Sequence, residues 1–389
     1  MVKTIHKLIA LAYIGENYSG SAIQPSQTKV KTIELELINA LVKSGLARDD
    51  DLKRLRLDRV SRTDKGVSAA SALFTVDCEP LDNFDETLNS SLPADIRCIG
   101  SMRVVPKYNG RQMCSSRYYE YLFPLQMLFP TRQIDEKYNE NLLTLPDTGD
   151  FQLFKCLVTP VIFKQINCPE APEDQIKIFD EQILENLNRV NQLAFLTRAV
   201  HYHNFAPSDS FNAISATLRK MLQIEFQPAK IENGIAYSKL IVHGQSFLYN
   251  QIRNMAGAIA TVAQGYAPAG WIVHAVFGKA CYKAHIVTAP GKFLLLKQQL
   301  FQGYDTRPEY GIYGQVLSER AEVMTKADEF SDIIKQAIFS KKENCLKEIN
   351  WFNAELAKNS KDLFQQTLDC IDNEYKTKAL IEKNKVIQE

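Results

Sequence analysis

Leu57-Asp58-Arg59-Val60-Ser61-Arg62-Thr63-Asp64-Lys65-Gly66-Val67-Ser68-Ala69-Ala70 is the stretch on which the reading of this chain turns. One carboxylate, Asp64, stands among Arg59, Arg62 and Lys65, with Gly66 directly behind it. Glycine there permits a backbone geometry that a Cβ would resist, which predicts a tight loop. The neighbouring cations favour the charged form of the carboxylate. A charged carboxylate beside phosphate-binding donors suits an enzyme acting on nucleic acid, as nucleophile or as base. The same pattern also describes a charged surface turn between two strands.

Outward from this loop, the run Lys7 to Ile14 reads as a buried strand, ended by the turn-rich Gly15-Glu16-Asn17-Tyr18-Ser19-Gly20. Thr32 is placed to cap a helix with the apolar face Ile33, Leu37, Ile38, Leu41 and Val42, stopped at Gly45. After the central loop come a strand over Ala72–Val76, a helix over about Asp82–Ser91 and a strand over Ile96–Val105. These three strands and two helices are read as the strand, helix, strand, strand, helix, strand order of ferredoxin-like folds with one strand unassigned, and Asp64 falls between the first helix and the second strand.

Farther on, Arg117–Pro124 reads as a strand with Tyr119 and Tyr121 on one face. Residues 130–180 read as an insertion, and Ile183, Leu187, Val190 and Ala194 mark a helix. A loop at His201–Pro207 and a strand over Ala236–Val242 precede Gly244–Gly257, read as the opening of a long helix. Thr288–Leu296 is a turn into a last buried strand, and Ser318–Glu389 has the composition and spacing of added helices.

The length of 389 residues accommodates two domains with a sizeable core. Lys plus Arg number 46 and Asp plus Glu 45, so net charge alone points to no polyanion partner. Local patches do. Residues 51–66 carry Lys53, Arg54, Arg56, Arg59, Arg62 and Lys65 against Asp51, Asp58 and Asp64, and residues 95–117 carry Arg97, Arg103, Lys107, Arg111 and Arg117 against Asp95. The eight cysteines are scattered without a close pair, which signals neither a zinc site nor a disulfide framework and fits a reducing compartment. Met1–His6 lead straight into the first strand, and no apolar stretch approaches membrane-spanning length, so neither a signal peptide nor a membrane span is expected.

Arg62-Thr63-Asp64-Lys65-Gly66-Val67-Ser68-Ala69 resembles the catalytic motif of the TruA-type tRNA pseudouridine synthases, in the form carried by their eukaryotic multisite members. Other segments resemble that family in the same order. They are Tyr13–Gly20, Lys31–Glu34 with Ala40–Gly45, Asn89–Pro93 with Ile96-Arg97, and Cys114–Tyr121 with its Arg-x-Tyr-x-Tyr pattern. His203-Asn204-Phe205, Gly244–Phe247 with Gln251-Ile252-Arg253, Gly265–Pro268 and Ala289-Pro290-Gly291 complete the series, which runs from about residue 7 to 308. The chain departs from the pattern at Ser21-Ala22-Ile23, where a bulky residue and a glutamine are usual, and at Tyr249-Asn250, where a hydrophobic residue and a histidine are usual.

The resemblance implies an α+β fold of two ferredoxin-like (RRM-like) halves around a central, mostly antiparallel sheet. The halves would be residues 1–105, carrying the catalytic Asp, and 106–312, with the insertion near 130–180; residues 313–389 would be a helical extension. It implies isomerisation of uridine to pseudouridine in tRNA, with other structured RNAs as further substrates, without metal or organic cofactor. Asp64 is the essential carboxylate, which either attacks C1′ of the sugar or abstracts the C2′ proton. Arg253 is the cation expected against it, and Tyr119 would stack on the flipped uracil and help remove the C5 proton. Arg62 would enter the space left by the extruded base. Lys65, Arg117, His203, Phe205 and Phe247 complete the substrate-binding set.

Each of these residues has a blander alternative. Arg253 fits a surface helix arginine, Tyr119 a half-buried strand tyrosine, Arg62 a simple phosphate contact, and Phe205 and Phe247 core positions. His201 and His203 have metal-ligand spacing, but no acidic or cysteine cluster accompanies them. The rival functions are a non-catalytic RNA-binding or tRNA-chaperone protein on the same scaffold and a single-site synthase acting on the anticodon stem. A monomer in the nucleus, with the cytoplasm as alternative, is the family expectation.

Overall fold

Leucine, isoleucine and alanine fill residues Leu8–Ala12 without a polar break, and in the computed structural model of the chain this run forms the middle of the first strand. The structure describes residues 4–23, 30–48, 52–129, 171–192, 199–206, 216–264, 285–302 and 312–359, with residues 195, 266, 267, 271, 272, 304 and 363 between or beyond them. In chain order the described strands are β1 (Ile5–Tyr13), β2 (Asp58–Arg59), β3 (Ser68–Cys78), β4 (Ile96–Arg103), β5 (Ser116–Pro124), β6 (Val200–His201), β7 (Leu218–Arg219), β8 (Met221–Phe226), β9 (Lys230–Glu232), β10 (Ile235–Gly244) and β11 (Leu294–Leu300). The described helices longer than a single turn are α1 (Ile33–Lys43), α2 (Phe84–Ser91), α3 (Pro172–Ile178), α4 (Glu181–Asn191), α5 (Gln251–Ala263), α6 (Ala321–Ser340) and α7 (Lys342–Asn359).

The chain forms two compact units. The first comprises Met1–Tyr121, His243–Ser246 and Gly291–Lys341, and the second Leu122–Val242, Phe247–Pro290 and Lys342–Glu389. In the first unit β1 pairs antiparallel with β3 (Leu8↔Thr75, Ile9↔Phe74) and with β4 (Lys7↔Arg103, Ala10↔Gly100). β2 joins β3 on another register, and β11 runs parallel to β3 through Leu295↔Ser68 and Leu296↔Ala69. β11 in turn pairs antiparallel with β5 through Leu294↔Tyr121 and Leu296↔Tyr119. The strand order is therefore β4-β1-β3-β11-β5, a mixed sheet. Beyond the short parallel pairing, the buried Gln299 Oε1 accepts from the Leu73 amide at 2.9 Å, which satisfies a donor that β11 no longer reaches.

Helix α6 packs on β1, β3 and β4. Every side chain from Leu8 to Tyr13 is fully buried, so β1 is covered on both faces, which is why it reads as an unbroken apolar run rather than as an alternation. Gly100 admits this packing, because a Cβ there would stand 2.8 Å from Val323 Cγ2. Helix α1 starts at Thr32, whose Oγ1 accepts from the Leu35 amide at 3.3 Å, and buries Ile33, Leu37, Ile38 and Leu41.

In the second unit, β9 and β10 form a hairpin through Asn233-Gly234, both at positive φ (+49° and +72°), as a tight turn between twisted strands requires. Helix α4 packs on β8, where Asn188 both donates to and accepts from the Phe226 backbone. Helix α5 is buried along almost its whole length and closes on the segment before β11. A Cβ on Gly257 would stand 1.9 Å from the Val287 carbonyl oxygen, so only glycine fits there.

Several details differ from the sequence expectation. Val42 is 37% exposed and lies off the apolar face of α1. Asp64 follows the second strand instead of preceding it, because β2 is only two residues long and leaves no alternation to read. The long helix begins at Gln251, since Asn250 adopts the left-handed conformation and breaks the helical path before it. Within the expected insertion, residues 172–178 are helical, with the proline at the first position where its missing N–H costs nothing. Residues 130–170, Ala194, Gly265, Pro268 and 364–389 lie outside the described residues, as do Cys156, Cys168, Cys281 and Cys370. The chain is thus a mixed α/β protein with a helical C-terminal region, and among the described residues no helix is long and apolar enough to cross a membrane.

Two consequences of this packing are measurable. A Cβ on Gly15 would stand 2.1 Å from the Val67 carbonyl oxygen, so Gly15→Ala is expected to destabilise the protein by roughly 1–3 kcal/mol in urea unfolding. An unchanged midpoint would contradict that close approach. Burial raises the phenols of Tyr13, Tyr18, Tyr119 and Tyr202 above the ordinary tyrosine value of 10. The folded chain holds these protons longer than the unfolded chain, so this stability is complete below about pH 10 and is lost as pH rises beyond it. The urea midpoint should accordingly fall between about pH 9 and about pH 11.

Candidate active site

The loop from Val60 to Val67 leaves β2 and returns as β3. Val60 makes the last tie to the sheet, its amide donating to the Leu73 carbonyl at 3.0 Å. Three residues later Thr63 is bound on every polar side. Its Oγ1 and the Tyr13 hydroxyl are 2.8 Å apart, its amide donates to Ser21 Oγ at 2.9 Å, and its carbonyl accepts from the Ser21 amide at 3.1 Å. Thr63 is 7% exposed, Ser21 1% and Tyr13 fully buried, so losing any partner would strand a polar group away from water.

The turn beyond is fixed as closely. The Val67 amide donates to the Asp64 carbonyl (3.1 Å), the Gly66 amide to the Tyr18 carbonyl (3.2 Å), and the Gly15 amide to Ser68 Oγ (3.0 Å). Gly66 sits at φ +78°, the conformation expected of the glycine behind the carboxylate. Half-buried Asp64 is therefore held between the pinned Thr63 and the exposed Lys65.

Tyr119 reaches the same region through the sheet. Its register partner on β11 is Leu296, and Leu296 pairs with Ala69 at the start of β3, five residues after Asp64. Neighbouring strands are spaced by about 4.8 Å, so Tyr119 lies two strands, or roughly 10 Å of backbone, from the end of the loop. Tyr119 is 7% exposed. Burial raises its phenol well above the ordinary value, Arg117 opposes that, and the negative charge of Asp64 adds to it. The phenol consequently stays protonated near neutral pH.

The cations of the motif do different work. Arg62 and Lys65 are exposed. Arg59 approaches Glu34 at 2.5 Å without hydrogen-bond alignment, and Glu34 is 1% exposed. Burial raises the Glu34 carboxyl, while the Ile23 amide, Arg59 and Arg62 hold it down. Arg59 thus serves the fold under α1. Arg117 donates from Nε to Ser61 Oγ at 2.9 Å and from Nη1 to the Gln245 carbonyl at 2.6 Å, which braces the start of the loop.

The other sequence-predicted residues belong to the second unit. Arg253 is half-buried in the first turn of α5, donating from Nε to the Ala289 carbonyl (2.7 Å) and from Nη1 to Asn250 Oδ1 (2.9 Å). His203 is buried in a short 3₁₀ turn, His203–Phe205. Its Nδ1 donates to the His201 carbonyl (3.2 Å) and its Nε2 accepts from Asn204 Nδ2 (3.2 Å), which fixes the neutral Nδ1–H tautomer. Burial lowers its pKa below the ordinary value of 6.5, in agreement with a neutral ring. Phe205 is fully buried against Phe195 and Tyr202, with ring centroids 6.0 and 5.3 Å away, and Phe247 is half-buried.

The first unit carries Asp64, Tyr119, Arg62, Lys65 and Arg117, with Asp64 and Arg117 close enough to Tyr119 to act on its phenol. In the second the structure ties His203-Asn204-Phe205 to α5, since Asn254 Nδ2 donates to the Phe205 carbonyl at 2.7 Å. Tyr13, Ser21 and Thr63 form the supports that sequence reading missed, and only the turn-rich Gly15–Gly20 segment hinted at them.

Residues 200–302 match the family model of tRNA pseudouridine synthases. Human pseudouridylate synthase 1 homolog is 28% identical over 304 residues, covering 77% of this chain and 61% of that protein. The Kluyveromyces lactis protein named tRNA pseudouridine synthase 1 is 30% identical over 349 residues, covering 78% of this chain and 61% of that protein. The Saccharomyces cerevisiae protein of the same name is 28% identical, covering 77% of this chain and 62% of that protein. The chain spans about three fifths of the length of these relatives. The chain is thus similar in sequence to the tRNA pseudouridine synthases, and the relatives named here are eukaryotic.

Proposed function

We propose that the protein isomerises uridine to pseudouridine in tRNA, with Asp64 as the essential carboxylate. The observation that carries this is the rigid presentation of Asp64 on a loop pinned through Thr63, in the same unit as a buried, protonated Tyr119. The names of the relatives support the same reaction and the same substrate class.

In that reaction the N1–C1′ bond breaks, a C5–C1′ bond forms, C5 loses a proton and N1 gains one, so no redox partner is required. Asp64 either attacks C1′ to give an ester or takes the C2′ proton to give a glycal. Tyr119 stacks on the extruded uracil. As a protonated phenol it is suited to stacking and hydrogen-bond donation more than to removing the C5 proton. Arg253 is the arginine that the family resemblance assigns to the reaction. Arg62 enters the gap left by the flipped base, which a modifying enzyme must open in stacked RNA. Lys65 and Arg117 meet phosphates, and His203, Phe205 and Phe247 complete the substrate contacts.

The run β1, α1, β2, β3, α2, β4 supports a ferredoxin-like first half, and a second such half over residues 106–312 completes the reading. The protein acts as a monomer on tRNA and other structured RNAs, and it resides in the nucleus.

The test is tritium release from tRNA transcripts labelled at uracil C5. Wild type should release label, while Asp64→Ala should be silent yet still bind tRNA. Silence from both, with tRNA still bound, would replace the enzyme by an RNA-binding protein. Product mapping would separate a multisite enzyme from a single-site one.

A further inference from the structure

We infer that Asn250 is a positioning residue for Arg253, one that fixes the plane of its guanidinium without neutralising its charge. This rests on the role given to Arg253 under the proposed function.

Asn250 occupies the position before the first residue of α5, where an asparagine side chain ordinarily caps the helix by accepting from its first free amides. It makes no such bond. Its Oδ1 accepts instead from Arg253 Nη1 at 2.9 Å. Its backbone is left-handed, at φ +59° and ψ 3°, a conformation costing an ordinary L-residue roughly 1 kcal/mol, which asparagine tolerates best. Gln251 Oε1 accepts from the Leu248 amide at 2.8 Å, which ties the turn ahead of the helix and caps none of its free amides. The chain thus gives up a cap and accepts an uncommon backbone state, and the asparagine oxygen meets the arginine.

The second acceptor is built with equal care. Ala289 accepts from Arg253 Nε at 2.7 Å, and its amide donates to the Arg253 carbonyl at 3.2 Å. Its neighbour Thr288 donates from Oγ1 to Asn254 Oδ1 at 2.7 Å, and Val287 is seated against the bare backbone of Gly257. Two fixed acceptors on two different nitrogens hold a planar guanidinium, where one would leave it free to turn. Both acceptors are neutral, so the positive charge remains available to an anion; a carboxylate at position 250 would consume it.

Three variants test this. Asn250→Gly removes the acceptor while suiting the left-handed backbone. Asn250→His keeps a neutral acceptor on a residue that tolerates this conformation. Arg253→Lys marks the loss of the guanidinium itself. Asn250→Gly should lower kcat for tritium release by roughly 10- to 100-fold, with KM for tRNA nearly constant and unfolding like wild type. Asn250→His should recover most of that loss. Wild-type kcat in Asn250→Gly, or equal losses in Asn250→Gly and Asn250→His, would overturn the inference. Nitrogen relaxation of the Arg253 Nε–H gives a readout independent of turnover. The group should be rigid in wild type and mobile in Asn250→Gly, and equal order in both would also overturn it. A wild type that releases no label would remove the proposed function, leaving the relaxation measurement to decide the positioning.

Discussion

Thr63 is held by three hydrogen bonds from a separate segment of chain, and the geometry of the Asp64 loop depends on them. A loop of eight residues with one glycine has many conformations of similar energy, and ordering each residue costs roughly 1–2 kcal/mol. The clamp offsets that cost by placing Thr63 beneath the surface, where its hydroxyl, amide and carbonyl find partners on Tyr13 and Ser21. β1 supplies the rigid base. It is buried on both faces under α6, so the Tyr13 hydroxyl is a fixed point that the loop must meet. Gly15 and Gly20 then bring the following segment against the loop backbone, closer than any side chain at Gly15 would allow.

The second unit solves a similar problem with a helix. α5 carries Arg253, Asn254 and Gly257 on neighbouring turns, and all three address segments outside the helix. Arg253 meets Ala289, Asn254 joins Thr288 to Phe205, and Gly257 admits Val287. A long, charged side chain is entropically expensive to hold in one rotamer. Here one acceptor, Ala289, lies on a strap tied to the same helix and the other, Asn250, stands at the start of the helix itself, so the supports of the arginine are built into the element that carries it.

Much of this was legible in the sequence, for stated physical reasons. The apolar run of β1, the capped and periodic α1 and the Asp64 motif each carry strong local signals. The structure has the strand and the helix at the expected places, with Val42 off the buried face and the Asp64 loop after β2 instead of before the second strand. What could not be read depends on contacts between distant residues. Ser21 departs from the family pattern, yet its hydroxyl and amide make two of the three bonds that clamp Thr63. Asn250 stands where a histidine is usual, yet its side-chain Oδ1 accepts from Arg253. Arg59 was grouped with Asp64 by sequence proximity, whereas the buried Glu34 claims it. β2 was invisible because two residues have no period, and β11 gave no hint that it would lie parallel to β3.

The most direct test of the clamp is the turnover number of Tyr13→Phe on tRNA labelled at uracil C5. This change deletes one hydroxyl from a buried ring and leaves every charged group, Asp64 included, in place. The account predicts a folded protein, destabilised by roughly 1–3 kcal/mol through the orphaned Thr63 hydroxyl, that binds tRNA as before but turns over more slowly. A wild-type turnover number in this variant would contradict the account, since Asp64 would then be presented without the bond that pins its loop.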